Sequence, residues 1–152
     1  MIKILCVGKI KERFFVDGIS EYQKRIDAYT KFSIVEVKEV NTPDINKNIK
    51  DEGNNLLSKI TDDEFVITLE IKGKMIDSVE LAHLIEDKMT YGFSKITFVI
   101  GGSNGLSEDV IKRSNYHLSF SKFTFPHQLM RLILIEQIYR ALTIINNKEY
   151  HK

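Results

Sequence analysis

Between Phe98 and Val110 the chain reads FVIGGSNGLSEDV, so an apolar run breaks into Gly101 and Gly102, a polar pair and Gly105 before a helix start. Glycine lacks a Cβ, which permits positive φ and lets a ligand come close to bare main chain. A turn of this kind either holds something or is simply tight. It is not one of the common phosphate cradles: the lysine and hydroxyl of GxxxxGK[ST] are missing, and GGxxG is not the GxGxxG dinucleotide spacing. The first apolar run ends VGKIKE with Gly8 alone. Two more segments could join the turn. TLEIKGK places Leu69 at a strand end with Gly73 beyond it, and SFSKFTFPHQ offers main-chain groups among Phe120, Phe123 and Phe125. Three such loops at the carboxyl ends of one sheet would make an apolar, adenine-sized pocket with backbone hydrogen bonds at its rim.

Other reactive side chains are sparse. His83, His117, His127 and His151 have no metal-ligand spacing and no Cys/His cluster beside them, so no metal is expected. His127 follows Pro126 at a helix start and Arg131 lies four residues on, along the same face. Capping and an active-site role both suit His127. Glu136 and Arg140 are also four apart, as in an internal helix pair. No GxSxG elbow occurs, which leaves a serine hydrolase little support. Cys6 sits inside the first apolar run, where a small buried thiol is common and no disulfide partner exists.

The elements that must position these residues alternate. Strands are predicted over Ile2–Gly8, Phe32–Val40, EFVITLEI, KITFVI and the start of Tyr116–Phe125. Helices are predicted through Phe15, Ile19, Tyr22, Ile26 and Tyr29; around Leu56, Leu57 and Ile60; from a Ser78 cap to Gly92; from Ser107; and from Pro126 to about Asn147. NTPDINKN is read as the least constrained segment. Strand and helix in alternation imply an α/β fold with a mainly parallel sheet covered on both faces, with ligands beyond the strands' carboxyl ends. Residues 1–152 read as one domain, and no run reaches the roughly 18 apolar residues of a membrane span. With no secretory signal at the start, a cytoplasmic location is expected.

The final helix is apolar almost all round, from Leu129 to Ile145, which implies burial on nearly every side and hence a subunit interface in a two-fold homodimer. Net charge is only +1, but it is unevenly spread: +3 over residues 1–31, −6 over 32–112 and +4 over 113–152. If the two ends meet, they form a basic face suited to phosphates; ordinary solvated lysines are the plainer reading.

Taken in order, ITLEIKGK, FVIGGSNGL, RSNYHLSFSKFTFPHQLMRLILIEQIYRA and the terminal YHK resemble the SPOUT-class ribosomal RNA large subunit methyltransferase H family over essentially the whole chain. The resemblance implies an S-adenosylmethionine-dependent enzyme that methylates N3 of a pseudouridine in large-subunit (23S) rRNA, acting as a homodimer on assembled ribosomes. It also implies a trefoil knot near the C-terminus that forms the cofactor site. Carried over by motif, the cofactor contacts fall on Leu69, Gly101, Ser121, Lys122, Phe123, Thr124, Phe125 and Pro126. For the chemistry, the N3–H of a uracil-like ring is a weak acid whose proton must be removed or whose anion must be stabilised. Arg131 or Arg140 would favour the anion, and His127, Tyr139, Tyr150 or His151 would take or relay the proton. Three rivals stand beside this reading: a non-enzymatic ribosome-binding assembly factor, a flavodoxin-like nucleotide binder, and a related methyltransferase acting on another RNA such as tRNA.

Overall fold

The computed structural model describes residues Met1–Lys152, and every strand pairing within its sheet is parallel. Five strands, β1 (Ile2–Val7), β2 (Phe32–Val37), β3 (Phe65–Met75), β4 (Ile96–Ile100) and β5 (Tyr116–Ser119), lie in the order β2-β1-β4-β3-β5. Five helices alternate with them: α1 (Arg13–Ile26), α2 (Ile45–Leu57), α3 (Ser78–Thr90), α4 (Glu108–Arg113) and α5 (His127–Ile145). None is long and apolar enough to cross a membrane.

Strand alternation divides the interior into two cores. Ile2, Ile4 and Cys6 of β1, with Ile96, Phe98 and Ile100 of β4, pack with residues of α1, α3 and α5. The intervening Leu5, Val7 and Val99 pack with Leu56 of α2 and Val110 of α4. Buried on both faces, these strands are apolar runs interrupted only at Lys3 and Thr97, as is usual in parallel sheets. Burial pushes the Cys6 thiol up to about 12, leaving it an inert packing group.

Several boundaries differ from the sequence reading, each for a local reason. The α3 cap is Asp77, not Ser78: its carboxylate accepts from the Glu80 amide at 2.8 Å while the Glu80 side chain accepts from the Asp77 amide. The segment NTPDINKN is well tied. Asp44 caps α2, and the 2% exposed Asn48 accepts from the Thr42 amide at 3.1 Å and donates to its carbonyl at 2.8 Å. Gly73 does not end a turn. β3 bulges between Leu69 and Lys74 and runs on to Met75 beside β5, and a Cβ at Gly73 would stand 2.8 Å from the main chain of His117. β2 stops at Val37, three residues before the expected end.

At the opposite edge of the second core, away from the carboxyl ends of the strands, a buried ion pair closes the sheet. Lys3 Nζ lies 2.8 Å from Glu64 Oε1 and donates to the Lys59 carbonyl at 2.6 Å, and Thr97 and the Thr61 amide donate to the same carboxylate. Burial alone would raise the pKa of Glu64, but the hydrogen bonds from Lys3, Thr97 and Thr61 prevail and hold it at about 2, below its ordinary 4.5. A depressed acid contributes stability that is present above its unfolded pKa and is lost as pH falls through the folded one. Urea unfolding should therefore show about 3 kcal/mol lost between about pH 4.5 and 2. Glu64→Gln should be less stable at pH 7 and should have a shallower slope across that window; an unchanged slope would remove Glu64 as its source.

Candidate functional site

The carboxyl ends of β3, β4 and β5 open into a cavity of about 840 Å³, within the usual range for small-molecule sites. β4 enters the glycine turn there. Gly105, at φ +86°, donates its amide to the Gly102 carbonyl at 3.1 Å, and Ser107 then caps α4 by accepting from the Val110 amide at 3.3 Å. Gly101 is packed into its own turn: a Cβ there would lie 2.9 Å from the main-chain carbon of Gly105 and 3.0 Å from Leu106 Cδ2. On the facing wall, the Ser119 hydroxyl sits between the carbonyls of Ile71 at 3.0 Å and Ser121 at 3.1 Å, and Ser121 Oγ accepts from the Phe123 amide at 3.0 Å. These bonds shape the 119–126 segment around the opening.

Leu69, Gly101, Ser121, Phe123, Thr124, Phe125 and Pro126 all line this one cavity, and His127 joins them from the start of α5. Lys122 is exposed and outside the lining. Arg131 lies elsewhere. It is 2% exposed, reaching the Glu36 carboxylate at 2.5 Å and the Gly8 carbonyl at 3.1 Å, so it ties α5 to the ends of β1 and β2. Glu70, Ile71, Leu106 and Met130 also line the cavity and were missed in the sequence. For Glu70 and Ile71 a signal existed, since strand residues next to Leu69 must reach the same loop cluster.

The family model described as "Predicted SPOUT methyltransferase" matches residues 1–151. The chain belongs to the SPOUT methyltransferase family. Among curated proteins it is 51% identical to "Ribosomal RNA large subunit methyltransferase H" of Carboxydothermus hydrogenoformans, over 99% of each chain. It is 53% identical to the protein of the same name from Listeria monocytogenes serovar 1/2a, again over 99% of each. Among solved structures, a probable methylase family protein from Haemophilus influenzae Rd KW20 matches with a TM-score of 0.56 at 16% identity, covering 99% of this chain and 70% of that one, a likeness of fold.

This SPOUT methyltransferase thus carries its cavity at the carboxyl edge of the sheet, and the remaining candidate residues gather at the other end of α5. Arg140 donates from Nε to Glu136 Oε1 at 2.7 Å and from Nη1 to His151 Nδ1 at 3.2 Å, and its Cζ lies 4.7 Å from the centre of the Tyr150 ring. Tyr139 meets Tyr150 edge-on at 4.7 Å, and Arg25 of α1 lies 5.6 Å from the rings of both Tyr22 and Tyr139. The two ends of the chain meet here through α1 and α5, with Arg25 and Arg140 each paired to a glutamate of its own helix, Glu21 and Glu136. Burial foremost, then the neighbouring Tyr22, pushes the Tyr150 phenol up to about 12, so it keeps its proton at neutral pH. Arginine can only donate, so His151 Nδ1 accepts and its remaining hydrogen belongs on Nε2. Thirteen residues of helix separate Arg140 from His127, about 20 Å at 1.5 Å per residue.

Proposed function

We propose that the chain binds S-adenosylmethionine in the carboxyl-edge cavity and methylates N3 of a pseudouridine in large-subunit rRNA of assembled ribosomes, residues 1–152 forming one domain that works as a homodimer in the cytoplasm. The observation that carries the reading is the convergence of Leu69, Gly101 and the 121–126 segment on one cavity in a chain half identical to proteins named as rRNA large subunit methyltransferases. The cavity suits the donor chemically: apolar side chains for a flat base, and a glycine turn in which Gly101 is too close-packed to admit a side chain. We further infer that the 119–126 segment passes through the β3–α3 connection as the family's trefoil knot. In support, β5 is an edge strand, yet α5 returns to pack on both α1 and α3.

When bound, the donor supplies an electrophilic methyl group on a positively charged sulfur. The chain's own part is to position and to handle charge. The cavity aligns donor and target nitrogen, which matters more than acid catalysis when the leaving group is already good. Arg140, held rigid by Glu136, presents positive charge to the anion that forms as N3 loses its proton, and Tyr150 and His151 add hydrogen-bond donors. That leaves His127, at the cavity wall, as the group best placed to accept the proton.

Within one subunit these parts are too far apart to meet on one base. A second copy resolves this. Leu129, Met130 and Ile133 on the first turns of α5 are half-buried and packed in neither core, and Ile71 and Phe123 at the cavity stand 55% and 78% exposed. Covering these groups with a two-fold partner would bring its basic α5 end and tail to the cavity. Deleting residues 150–152 should leave donor affinity within about twofold, because the tail lies away from the cavity in its own subunit, and should reduce methyl transfer to ribosomes by at least about a hundredfold. Unchanged transfer would remove Tyr150 and His151 from the mechanism, and lost donor binding would place the tail in the donor site instead.

A further inference from the structure

Behind the glycine turn lies a group the proposed reaction does not use. Glu52 of α2 is 3% exposed; its Oε2 accepts from the Val40 amide at 2.9 Å, but its Oε1 has no hydrogen-bond partner. A Cβ built on Gly102 would stand 3.2 Å from that oxygen, and Gly102 itself lines the cavity. The unpartnered oxygen thus lies behind Gly102, with the Val7 side chain beside it, and Gly102 borders the cavity. With no side chain of its own, Gly102 lets both the carboxylate and Val7 come up close behind the cavity floor.

A buried carboxylate oxygen without a donor is costly, and folds retain such groups rarely. The cost has a use where a positive charge must be held in a dry site, because Coulomb attraction at a given distance is stronger at low effective dielectric. The methyl donor carries such a charge at its sulfur. Its demethylated product does not. We propose that Glu52 is a positioning residue that supplies the counter-charge for the donor's cationic sulfur across the Gly102 main chain, so that the site discriminates donor from spent product. The inference rests on the donor reading above. It also gives turnover a direction: when the methyl group leaves, the sulfur becomes neutral and the attraction that held the cofactor disappears.

Glu70 is the competing carboxylate, since it lines the cavity directly. Its Oε2 is already engaged: the buried Thr68 hydroxyl donates to it at 2.5 Å, His117 Nδ1 contacts it, and Ser114 completes the chain at 2.8 Å from Thr68 Oγ1. A carboxylate committed to its neighbours is the poorer counter-charge.

The test is calorimetric titration of the full chain, its Glu52→Gln variant and its Glu70→Gln variant with S-adenosylmethionine and with S-adenosylhomocysteine. Glutamine at position 52 keeps an oxygen for the Val40 amide and nearly the same volume, and product binding serves as the check that the site is intact. Glu52→Gln should weaken the donor on the order of tenfold, the effect of one charge at intermediate effective dielectric, and leave the neutral product within about twofold. Equal weakening of both ligands would make Glu52 merely structural and overturn the proposal. So would no change in either, or selective loss of the donor in Glu70→Gln instead. A wild-type chain that binds neither ligand would fail differently, removing the donor reading and this inference with it.

Discussion

Gly101→Val is expected to lower donor affinity and methyl transfer by more than about a hundredfold while the protein remains folded. Even a Cβ at this position would lie 2.9 Å from the Gly105 carbon and 3.0 Å from its oxygen, closer than side-chain carbons pack. Overpacking of this kind costs about 1–3 kcal/mol when the surroundings can shift. Here they can, because the turn follows the end of β4 and is not part of the sheet ladder. The strain is relieved by displacing the turn into the cavity, and a displacement of about 1 Å in a positioning loop is enough for a hundredfold loss. The strand beneath, with Phe98 and Val99 fully buried, should hold, so the thermal midpoint should fall only a few degrees. Asn104→Ala, at an exposed position of the same turn outside the cavity lining, is the control and should stay within about twofold. A Gly101→Val protein with normal donor affinity would mean that the cavity is not the donor site.

The second large effect concerns the division of the site between subunits. Gly101→Val alone and the chain lacking residues 150–152 alone should each be inactive. Co-expressed as a mixed dimer, they should recover about a quarter of wild-type activity. Random pairing makes about half of the dimers mixed, and in each of these one cavity is intact and faces one intact tail. A site assembled within one subunit gives no recovery at all, because every subunit in the mixture is then damaged. Differentially tagged subunits purified as the mixed species should reach about half, which separates weak complementation from poor pairing.

The legible parts of this molecule were those with long apolar runs. β1 and β4 alternate toward two cores and so read as buried parallel strands, and α5 reads as helix from its end-to-end apolar run. The loops converging on the cavity were legible by chemistry, since glycine and aromatic residues at strand ends have few other uses. What escaped were contacts between residues distant in sequence. Arg131 shares a helix face with His127, but its partner Glu36 lies 95 residues away, and only the packing of α5 on the ends of β1 and β2 reveals the tie. Gly73 looked like a turn glycine because nothing local shows that β5 will press against it. NTPDINKN looked loose because its order comes from side chains bonding to main chain, through Asp44 and Asn48, rather than from periodicity. The unpartnered Glu52 oxygen had no signal of its own, since nothing local marks the one glutamate of a polar helix as buried.

The most direct test of the whole account is to incubate the purified chain with isotopically labelled S-adenosylmethionine and ribosomes lacking the modification, with free large subunits and a tRNA pool alongside, and to map the labelled nucleoside by mass spectrometry. Label is expected on N3 of a pseudouridine in large-subunit rRNA, strongest with assembled ribosomes. Label confined to tRNA would contradict the substrate while keeping the donor cavity, and the absence of both donor binding and transfer would contradict the enzyme itself and favour a ribosome-binding assembly factor.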